Sequence, residues 1–343
     1  MKALVLEEYN SLIYKDIPMP DCKADEVLIR VKACGICGSD VHGFDGSTGR
    51  RIPPLVMGHE ASGVIEGLGA NVKDSHVGDR VTFDSTVYCG NCYFCRRGEI
   101  NLCSNRRVLG VSCDEYSRNG AFAEYVAVPE RILYSLPDEI SFEQAAMIEP
   151  VSIAFHALEL AKVSLNESAV VFGAGIIGLF TIQLLRAAGC GRILAVDTNV
   201  SRLDIASKMG ADIVFNPADG DATEFARDIA NGHGYDMAFE AVGIPATVSA
   251  AIESTRKGGR IVLIGNVSSQ VTVPLQKIVA RQLTLYGSCA SNGEYPACLD
   301  MIVRGDVDVD TLMSAVAPLS EGASWFKRLY NAEPGLMKVL LTP

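Results

Sequence analysis

The chain carries cysteine, histidine and glutamate residues in a pattern that could hold a catalytic metal ion. The candidate ligands are Cys37, which closes a C-x-x-C pair, His59 and Glu60 in a Gly-His-Glu run, and Glu149. A thiolate, an imidazole and a carboxylate from distant loops suit zinc, which then keeps one coordination position open. A redox dithiol would also use C-x-x-C, but no thioredoxin-like strand–helix–strand pattern surrounds this pair. The pattern therefore predicts a catalytic zinc site.

A second cluster consists of four cysteines that lie close together in the sequence. Cys89, Cys92, Cys95 and Cys103 follow the spacing C-x2-C-x2-C-x7-C. Four thiolates favour a closed tetrahedral zinc site that leaves no position for a substrate. An iron–sulfur cluster would use the same ligands, but a second cysteine set and a Cys-Pro ending are missing. We therefore predict a structural zinc ion that stabilises a lobe with too few apolar residues to fold alone.

A glycine-rich loop provides the third chemical signal. An apolar strand at 170–172 runs into this loop, and a helical pattern follows it. Such a G-x-G-x-x-G turn lets the backbone approach a pyrophosphate at the start of a helix. The uncharged stretch 168–185 would also suit a membrane span, but its glycines and its strand-like start argue against that. The residues predicted to bind a dinucleotide here are Gly173, Gly175, Ile176, Ile177 and Gly178.

Asp197 predicts which dinucleotide binds. It ends the next apolar strand, about twenty residues beyond the last glycine, where a carboxylate can bind the adenosine ribose. A carboxylate accepts hydrogen bonds from both ribose hydroxyls and repels a 2′-phosphate, so NAD is favoured over NADP. Arg202 follows closely and suggests the opposite preference, or it is simply a solvated helix arginine. With Asp197 in place, NAD remains the prediction.

The segments that must position these residues change character near residue 150. Before it, short strands, turns and prolines indicate a β-rich region. After it, helices alternate with apolar strands, which we expect at 169–172, 193–196, 213–215, 237–240, 261–264 and 283–286. This alternation predicts an α/β Rossmann domain with a doubly wound parallel sheet. Ligands bind outside the carboxyl ends of such strands. The residues expected there, beside the nicotinamide, are Val242, Gly243, Gly265 and Asn266.

The last part of the chain no longer alternates. Beyond residue 287, helical patterns occupy 295–303, 311–315 and 324–330, and 337–341 is expected to form a final strand.

Length, charge and composition limit the function. The 343 residues suffice for two domains with separate cores. A net charge of −11 argues against general nucleic-acid binding, because phosphate backbones require a basic face. The first residues turn acidic without a long apolar stretch, so we expect no signal peptide. These features predict a cytoplasmic protein with neither a nucleic-acid nor a membrane partner, in which disulfides are rare and the cysteine spacing indicates metal sites instead.

Together, these motifs resemble the zinc-dependent medium-chain alcohol dehydrogenases over nearly the whole chain, and most nearly their sorbitol-type polyol branch. The resemblance implies a GroES-like catalytic domain with the zinc sites at 1–150, an NAD-binding Rossmann domain at 151–287, and a C-terminal return to the catalytic domain at 288–343. It also implies a homodimer or homotetramer that pairs the last strand of the cofactor domain. Liver-type members carry cysteine where this chain has Glu149, which favours the polyol branch.

The resemblance also implies roles for individual residues. In the polyol branch the zinc ion uses Glu60 directly, or Glu149 alternates with it as water exchanges. Ser39 would take the proton of the bound alcohol and pass it through the cofactor ribose to His42, since histidine titrates near neutral pH. Phe44 and Phe122 would line the substrate pocket, or they belong to the core.

The expected reaction is the reversible, NAD-dependent oxidation of a secondary alcohol to a ketone, and the expected substrate is a small polyol. Polyol dehydrogenases usually carry an Arg-Tyr pair where this chain has Ala290 and Ser291, which weakens the sorbitol assignment. Threonine remains an alternative substrate, as does a sugar-alcohol phosphate bound by Arg50, Arg51 or Arg118. Ser288, Ser291 and Asn292 offer other hydroxyl contacts. The rival functions are a zinc-free enone or quinone reductase and a non-catalytic dinucleotide-binding protein.

Overall fold

The computed structural model describes residues 1–112 and 117–343, which form two compact units. The first unit comprises Met1–Glu149, Ser291–Val303 and Val309–Pro343. The second unit comprises Pro150–Ala290 and Arg304–Asp308. The first unit is therefore assembled from segments far apart in the chain, whereas the second is nearly continuous.

The described residues form these strands, in chain order: β1 (Lys2–Glu8), β2 (Ser11–Asp16), β3 (Glu26–Gly35), β4 (Leu55–Val56), β5 (Glu60–Leu68), β6 (Arg80–Phe83), β7 (Thr86–Val87), β8 (Arg107–Val108), β9 (Tyr125–Pro129), β10 (Leu133–Ser135), β11 (Ser168–Phe172), β12 (Arg192–Val196), β13 (Ile213–Phe215), β14 (Tyr235–Glu240), β15 (Thr255–Leu263), β16 (Thr284–Gly287), β17 (Met313–Pro318) and β18 (Lys338–Thr342). The helices are α1 (Gly38–Gly43), α2 (Phe142–Ala146), α3 (Ile148–Ala161), α4 (Ile176–Ala187), α5 (Val200–Lys208), α6 (Ala222–Ile229), α7 (Pro245–Ser254), α8 (Leu275–Ala280), α9 (Tyr295–Val303) and α10 (Gly322–Tyr330). None of these helices is both long and apolar enough to cross a membrane.

The main sheet of the first unit brings distant segments together. Its strands lie in the order β10-β6-β5-β3-β18-β17, and β9 also pairs with β3. The central strand β3 pairs antiparallel with both β5 and β18, which places Gly35 opposite Glu60 on one side and opposite Leu340 on the other. Gly35 is followed closely by Cys37, and Lys338 lies two residues before Leu340. This register therefore gathers three remote parts of the chain at one end of β3.

The second unit is built on a parallel sheet of six strands, in the order β13-β12-β11-β14-β15-β16. The middle residues of its central strands are mostly apolar and buried, as expected when helices cover both faces of a parallel sheet. Val170, Leu194 and Ala238 from three neighbouring strands are fully buried in its core. Together with the β-rich first unit, this sheet confirms the predicted fold class, and every strand expected in this region is present.

The tail departs from prediction at one element. The stretch 311–315, predicted to be helical, forms a short 3-10 turn at Asp310–Leu312 followed by β17. Along β17, exposed Val316 alternates with buried Ala317, which is the period of a strand. Pairing with β18 thus overrides a weak local helix preference. The other predicted tail elements correspond to α9, α10 and β18.

Candidate active site

Three of the predicted metal ligands meet in the first unit. Cys37, His59 and Glu60 each offer one ligand atom, and these atoms all lie within 4.8 Å of one another. We call these three residues the Cys37 group. The strand register explains their proximity, because Glu60 opens β5 directly opposite the end of β3. Glu149, in the first turn of α3, does not belong to the group.

Helix α1 starts at the metal-binding cysteine and carries the two predicted proton-transfer residues. Cys37 is its N-cap, and the Sγ atom accepts a hydrogen bond from the Ser39 backbone N–H. The Ser39 hydroxyl also donates to Cys37 Sγ, at 3.2 Å. Ser39 and His42 are both exposed, and their spacing of three positions puts them on the same side of the helix. The helix thus places a hydroxyl beside the thiolate and an imidazole near it.

Behind His59 lies a buried ion pair. Arg51 donates to Asp40 Oδ1 through Nε at 3.1 Å and through Nη2 at 2.8 Å. The same Asp40 oxygen lies 3.5 Å from His59 Nδ1. Burial would raise the pKa of Asp40, but His59 and Arg51 hold it well below its ordinary value. Burial alone would lower the pKa of His59, yet Asp40 and Cys37 raise it overall. An ionised carboxylate therefore lies at ion-pair distance behind this imidazole, although His59 Nδ1 makes no hydrogen bond to the described residues. A carboxylate commonly lies behind a metal-bound histidine.

Glu60 has a buried cationic partner on the last strand. Lys338 forms an ion pair with Glu60 Oε2, and both side chains are almost completely buried. Burial would lower the pKa of Lys338, but Glu60 and Cys37 raise it. The other carboxylate oxygen, Oε1, is buried and has no hydrogen-bond partner among the described residues. An orphaned oxygen beside a thiolate and an imidazole fits a zinc ion, whose binding would compensate its desolvation.

Glu149 lies near the Cys37 group and interacts with it electrostatically. Burial and the neighbouring Glu60 carboxylate raise the pKa of Glu149 to about 7, although His59 and Lys338 act in the opposite direction. Burial therefore favours the protonated form of this carboxyl group. The structure thus brings Glu60, rather than Glu149, into ligand distance of Cys37 and His59.

The four predicted structural cysteines form a separate cluster in the first unit. Their Sγ atoms also lie within 4.8 Å of one another; we call residues 89–105 the cysteine lobe. Two short 3-10 turns, Cys95–Arg97 and Ile100–Leu102, form much of it. Backbone N–H groups, first that of Cys95, lower the pKa of the Cys92 thiol to about 6. Such donors stabilise thiolates, which are the form that binds zinc.

The predicted dinucleotide loop lies in the second unit, between β11 and α4. Gly173 has a φ of +96°, and a Cβ atom on Gly178 would lie 1.7 Å from the Gly173 carbonyl oxygen. Only glycine therefore permits this tight turn and close contact. Gly175 is the N-cap of α4, so Ile176 and Ile177 begin the helix with backbone N–H groups that have no partner within it. This is the geometry that binds a phosphate group.

Asp197 directly follows β12 and faces the glycine loop. Its Oδ2 accepts the Ala174 N–H at 2.7 Å, and its Oδ1 accepts the Asn199 N–H at 2.8 Å. Its carboxylate is thereby held where the two strands end. Arg202 lies in the first turn of α5 and is half-buried.

The remaining predicted cofactor residues lie in loops that follow β14 and β15. The buried carboxylate of Glu240, which the sequence did not single out, accepts hydrogen bonds from the backbone N–H groups of Val242 and Gly243. A Cβ atom on Gly265 would lie 2.2 Å from the Gly243 nitrogen, and one on Gly243 would lie 2.3 Å from that of Asn266. The two loops therefore touch backbone to backbone at the carboxyl edge of the sheet.

Several expected substrate contacts serve the fold instead. Phe44 and Phe122 are buried and pack against Phe326, with ring centroids 6.0 and 5.7 Å away. Ser291 is buried and donates to Asp84 at 3.0 Å, while Asn292 accepts the backbone N–H of Ile100 in the cysteine lobe. Both phenylalanines belong to the core, as the second reading allowed.

Sequence reasoning gave no role to Asp40, Lys338 or Asp84, and it considered Arg51 only as a phosphate ligand. Two signals were available. Lys338 is the only charged residue in an otherwise apolar final strand. Asp40 directly follows the Cys37-Gly38-Ser39 run. In both cases the charge is buried because a partner arrives from a distant segment.

Family models match both parts of the chain. Residues 23–138 match the alcohol dehydrogenase GroES-like domain, and residues 177–304 match the zinc-binding dehydrogenase domain. The sorbitol dehydrogenase of Bacillus subtilis strain 168 is 33% identical, over 100% of this chain and 97% of its own length.

Solved structures give the same result. Galactitol-1-phosphate dehydrogenase from Escherichia coli superposes with a TM-score of 0.92 at 28% identity, covering 100% of both chains. An alcohol dehydrogenase from Escherichia coli CFT073, complexed with NADH, gives a TM-score of 0.92 at 31% identity, over 100% of this chain and 99% of its own. These matches confirm that the chain is an oxidoreductase, as predicted.

Proposed function

This chain belongs to the zinc-dependent alcohol dehydrogenase family, and on that premise we propose that it reversibly oxidises a secondary alcohol of a neutral polyol to the ketone, using NAD. The observation that carries the proposal is the Cys37 group, which offers a thiolate, an imidazole and a carboxylate within 4.8 Å. That donor set suits a zinc site with an open position. A zinc-free reductase or a binding module would have no use for it.

The chain's own residues would hold the reacting groups and move the proton. When bound, zinc acidifies the alcohol and the nicotinamide accepts the hydride. Cys37, His59 and Glu60 would hold the metal ion. Ser39, whose hydroxyl lies 3.2 Å from Cys37 Sγ beside the metal position, would accept the alcohol's proton and give up its own hydroxyl proton in exchange. His42, exposed on the same short helix, would release that proton to solvent.

The charges around the Cys37 group favour a neutral substrate over a phosphate ester. Arg51 is buried and donates to both Asp40 and Ser39. Arg118 donates to Glu26 and to the Ala127 carbonyl oxygen, at 2.8 and 2.7 Å. Neither arginine is available to bind a phosphate, and the carboxylate of Glu60 disfavours an anion at the reacting carbon.

Turnover on a panel of alcohols tests the substrate class. Sorbitol, xylitol, galactitol and 2,3-butanediol would be compared with threonine and galactitol 1-phosphate at fixed NAD. We expect the highest kcat/KM on an unphosphorylated polyol or diol. Activity confined to threonine or to the phosphate ester would overturn the proposal, and absence of turnover with two zinc ions bound would argue for a non-catalytic role.

We propose NAD as the cofactor because Asp197 is anchored beside the glycine loop. Asp197→Ala should weaken NAD binding by roughly 1–3 kcal/mol, the cost of lost hydrogen bonds to a charged group. It should also improve NADP binding, because the repulsion of the 2′-phosphate disappears. Calorimetric titration with both dinucleotides measures this. A parent protein that already prefers NADP would contradict the assignment.

We also propose a cytoplasmic homodimer or homotetramer. Among the described residues, β16 pairs only with β15, which leaves an edge strand in the second unit. Leu275 and Val279 of nearby α8 are 66% and 71% exposed. Light scattering after size exclusion should give twice or four times the chain mass, and Val279→Glu should shift it towards the monomer. A monomeric parent protein would overturn this proposal.

A further inference from the structure

One arginine contacts both the carboxylate behind the metal histidine and the serine beside the metal cysteine. Arg51 Nη2 donates to Asp40 Oδ1 at 2.8 Å and to Ser39 Oγ at 3.1 Å. Its side chain is 3% exposed and that of Asp40 is fully buried. A planar guanidinium holds such partners in a fixed geometry that an ammonium group cannot reproduce.

The local sequence makes room for this side chain. A Cβ atom at Gly43, the last residue of α1, would lie 2.4 Å from Arg51 Cγ. The φ of Gly43 is not positive, so this position needs glycine for space rather than for backbone freedom. Arg51 can therefore pass behind α1 and reach Ser39 and Asp40 only because residue 43 has no side chain.

We propose that Arg51 is a positioning residue for the oxidation reaction. By fixing Asp40, it places a carboxylate oxygen 3.5 Å behind His59 Nδ1, at ion-pair distance. Through Ser39 it occupies one hydroxyl lone pair, which leaves the second lone pair to accept the alcohol's proton when the hydroxyl, which donates to Cys37 Sγ at 3.2 Å, gives up its own proton. One side chain thus couples metal retention to proton transfer. The inference rests on the proposed zinc site formed by the Cys37 group.

Arg51→Lys tests the proposal, because lysine keeps the positive charge but lacks the planar guanidinium group with its fixed N–H donors. Loss of the partner behind a metal-bound histidine costs about 10–100-fold in metal affinity or activity. We therefore expect a chelator to remove zinc from the Cys37 group about 10–100-fold faster. Zinc in the cysteine lobe should leave at the parent rate, and two-phase release followed with a metallochromic dye separates the two ions.

A second readout isolates the effect on Ser39. In zinc-saturated Arg51→Lys, kcat should fall and its solvent deuterium isotope effect should rise, because proton transfer becomes slower. In the double variant with Ser39→Ala, the two losses in kcat should not add, as expected for residues that act through one contact. A purely structural arginine would leave the isotope effect unchanged and the losses additive.

Two further variants serve as control and backup. Arg118→Lys removes an arginine from another buried carboxylate of the same unit, Glu26, which is not a metal ligand, and it should leave zinc release and the isotope effect unchanged. Gly43→Ala displaces Arg51 without removing it and suits a helix, so it should reproduce the Arg51→Lys behaviour even if that variant folds poorly.

The outcomes separate this inference from the proposed function. If the parent protein holds two zinc ions but Arg51→Lys and Gly43→Ala both behave like Arg118→Lys, the positioning role is wrong. If the parent protein holds only the lobe zinc, the proposed function itself fails.

Discussion

The Cys37 group and the cysteine lobe use related ligands in opposite surroundings. The lobe takes four thiolates from one short stretch, and its Tyr93 and Leu102 are 67% and 43% exposed. The Cys37 group takes its ligands from separate segments, and His59 and Glu60 are 6% and 1% exposed. Buried ion pairs surround this group, whereas the lobe relies on backbone N–H groups around its sulfur atoms. In the lobe, metal binding would therefore supply the stability that a hydrophobic core usually provides. The Cys37 group, in contrast, is held in place by the packed core around it.

The two sites therefore differ in what the protein loses when the metal ion is removed. In the lobe, losing the metal removes the main cross-link of a nearly coreless segment. In the Cys37 group, the sheet and the ion pairs maintain the structure, so losing the metal should affect chemistry first. The following substitutions test that division.

Cys37→Ser should have the largest effect on activity. Serine is a good N-cap, so α1 should persist while the thiolate ligand is lost. We expect turnover to disappear, one zinc ion per chain to be lost, and NAD binding to remain. Zinc analysis by mass spectrometry and calorimetry measure these outcomes, and Cys22→Ser, outside both clusters, is the control. Full activity of Cys37→Ser with only one zinc ion per chain would show that catalysis does not need a zinc ion at the Cys37 group.

Cys103→Ser should show the opposite behaviour. Cys103 is buried and accepts hydrogen bonds from the N–H groups of Cys89 and Asn105. Losing the lobe metal should lower the melting temperature by ~10 °C or more. Below that temperature, kcat should stay close to the parent value. Calorimetric melting and turnover at low temperature test this, and a large loss of kcat without a loss of stability would contradict it.

Glu60→Gln and Glu149→Gln test which of the two glutamates binds the metal ion. Glu60→Gln leaves Lys338 buried without its counter-charge, which costs about 3–5 kcal/mol, and should also weaken zinc binding. Glu149→Gln should change the free energy of unfolding and the zinc affinity much less, because burial already favours the neutral form of Glu149. Urea unfolding and zinc titration compare the pair. Equal effects would mean that both glutamates bind the metal.

Asp84→Asn tests the connection between the two regions and should have the smallest effect. Asp84 accepts the hydroxyl of Ser291, whose neighbour Asn292 binds the cysteine lobe. Burial raises the pKa of Asp84 from 3.8 to about 6. Its stabilising contribution is thus complete below pH 4 and is lost as the pH rises through about 6, a change of at most about 3 kcal/mol.

Asparagine does not titrate, so the stability of Asp84→Asn relative to the parent protein should increase between about pH 4 and pH 7, across the interval between the two pKa values of Asp84. Urea unfolding in excess zinc measures this, with exposed Asp74→Asn as the control. A stability difference that does not change with pH would show that Asp84 is ionised at the same pH in both states.

The two regions also differ in how far the sequence predicted them. The cysteine lobe could be predicted as a metal site because its ligands lie a few residues apart, so their spacing alone brings them together. The choice between Glu60 and Glu149 depends on the register of β3 with β5, which local patterns do not determine. Lys338 resembles an ordinary surface charge until strand pairing buries it, and Arg51 does so until it packs against Asp40 of α1. The same non-local pairing turned the stretch 311–315 from a predicted helix into β17.

Strand β18 also determines when the first unit can be finished during synthesis. It pairs with β3 and supplies Lys338, so the sheet and the partner of Glu60 are incomplete until residue 342 has left the ribosome. The second unit needs only residues up to 308 and can fold earlier. Until then, the Cys34–Gly35 end of β3 lacks its partner on one side, whereas β9 already covers Glu26–Arg30. The N-terminal half therefore completes its fold later than the middle of the chain.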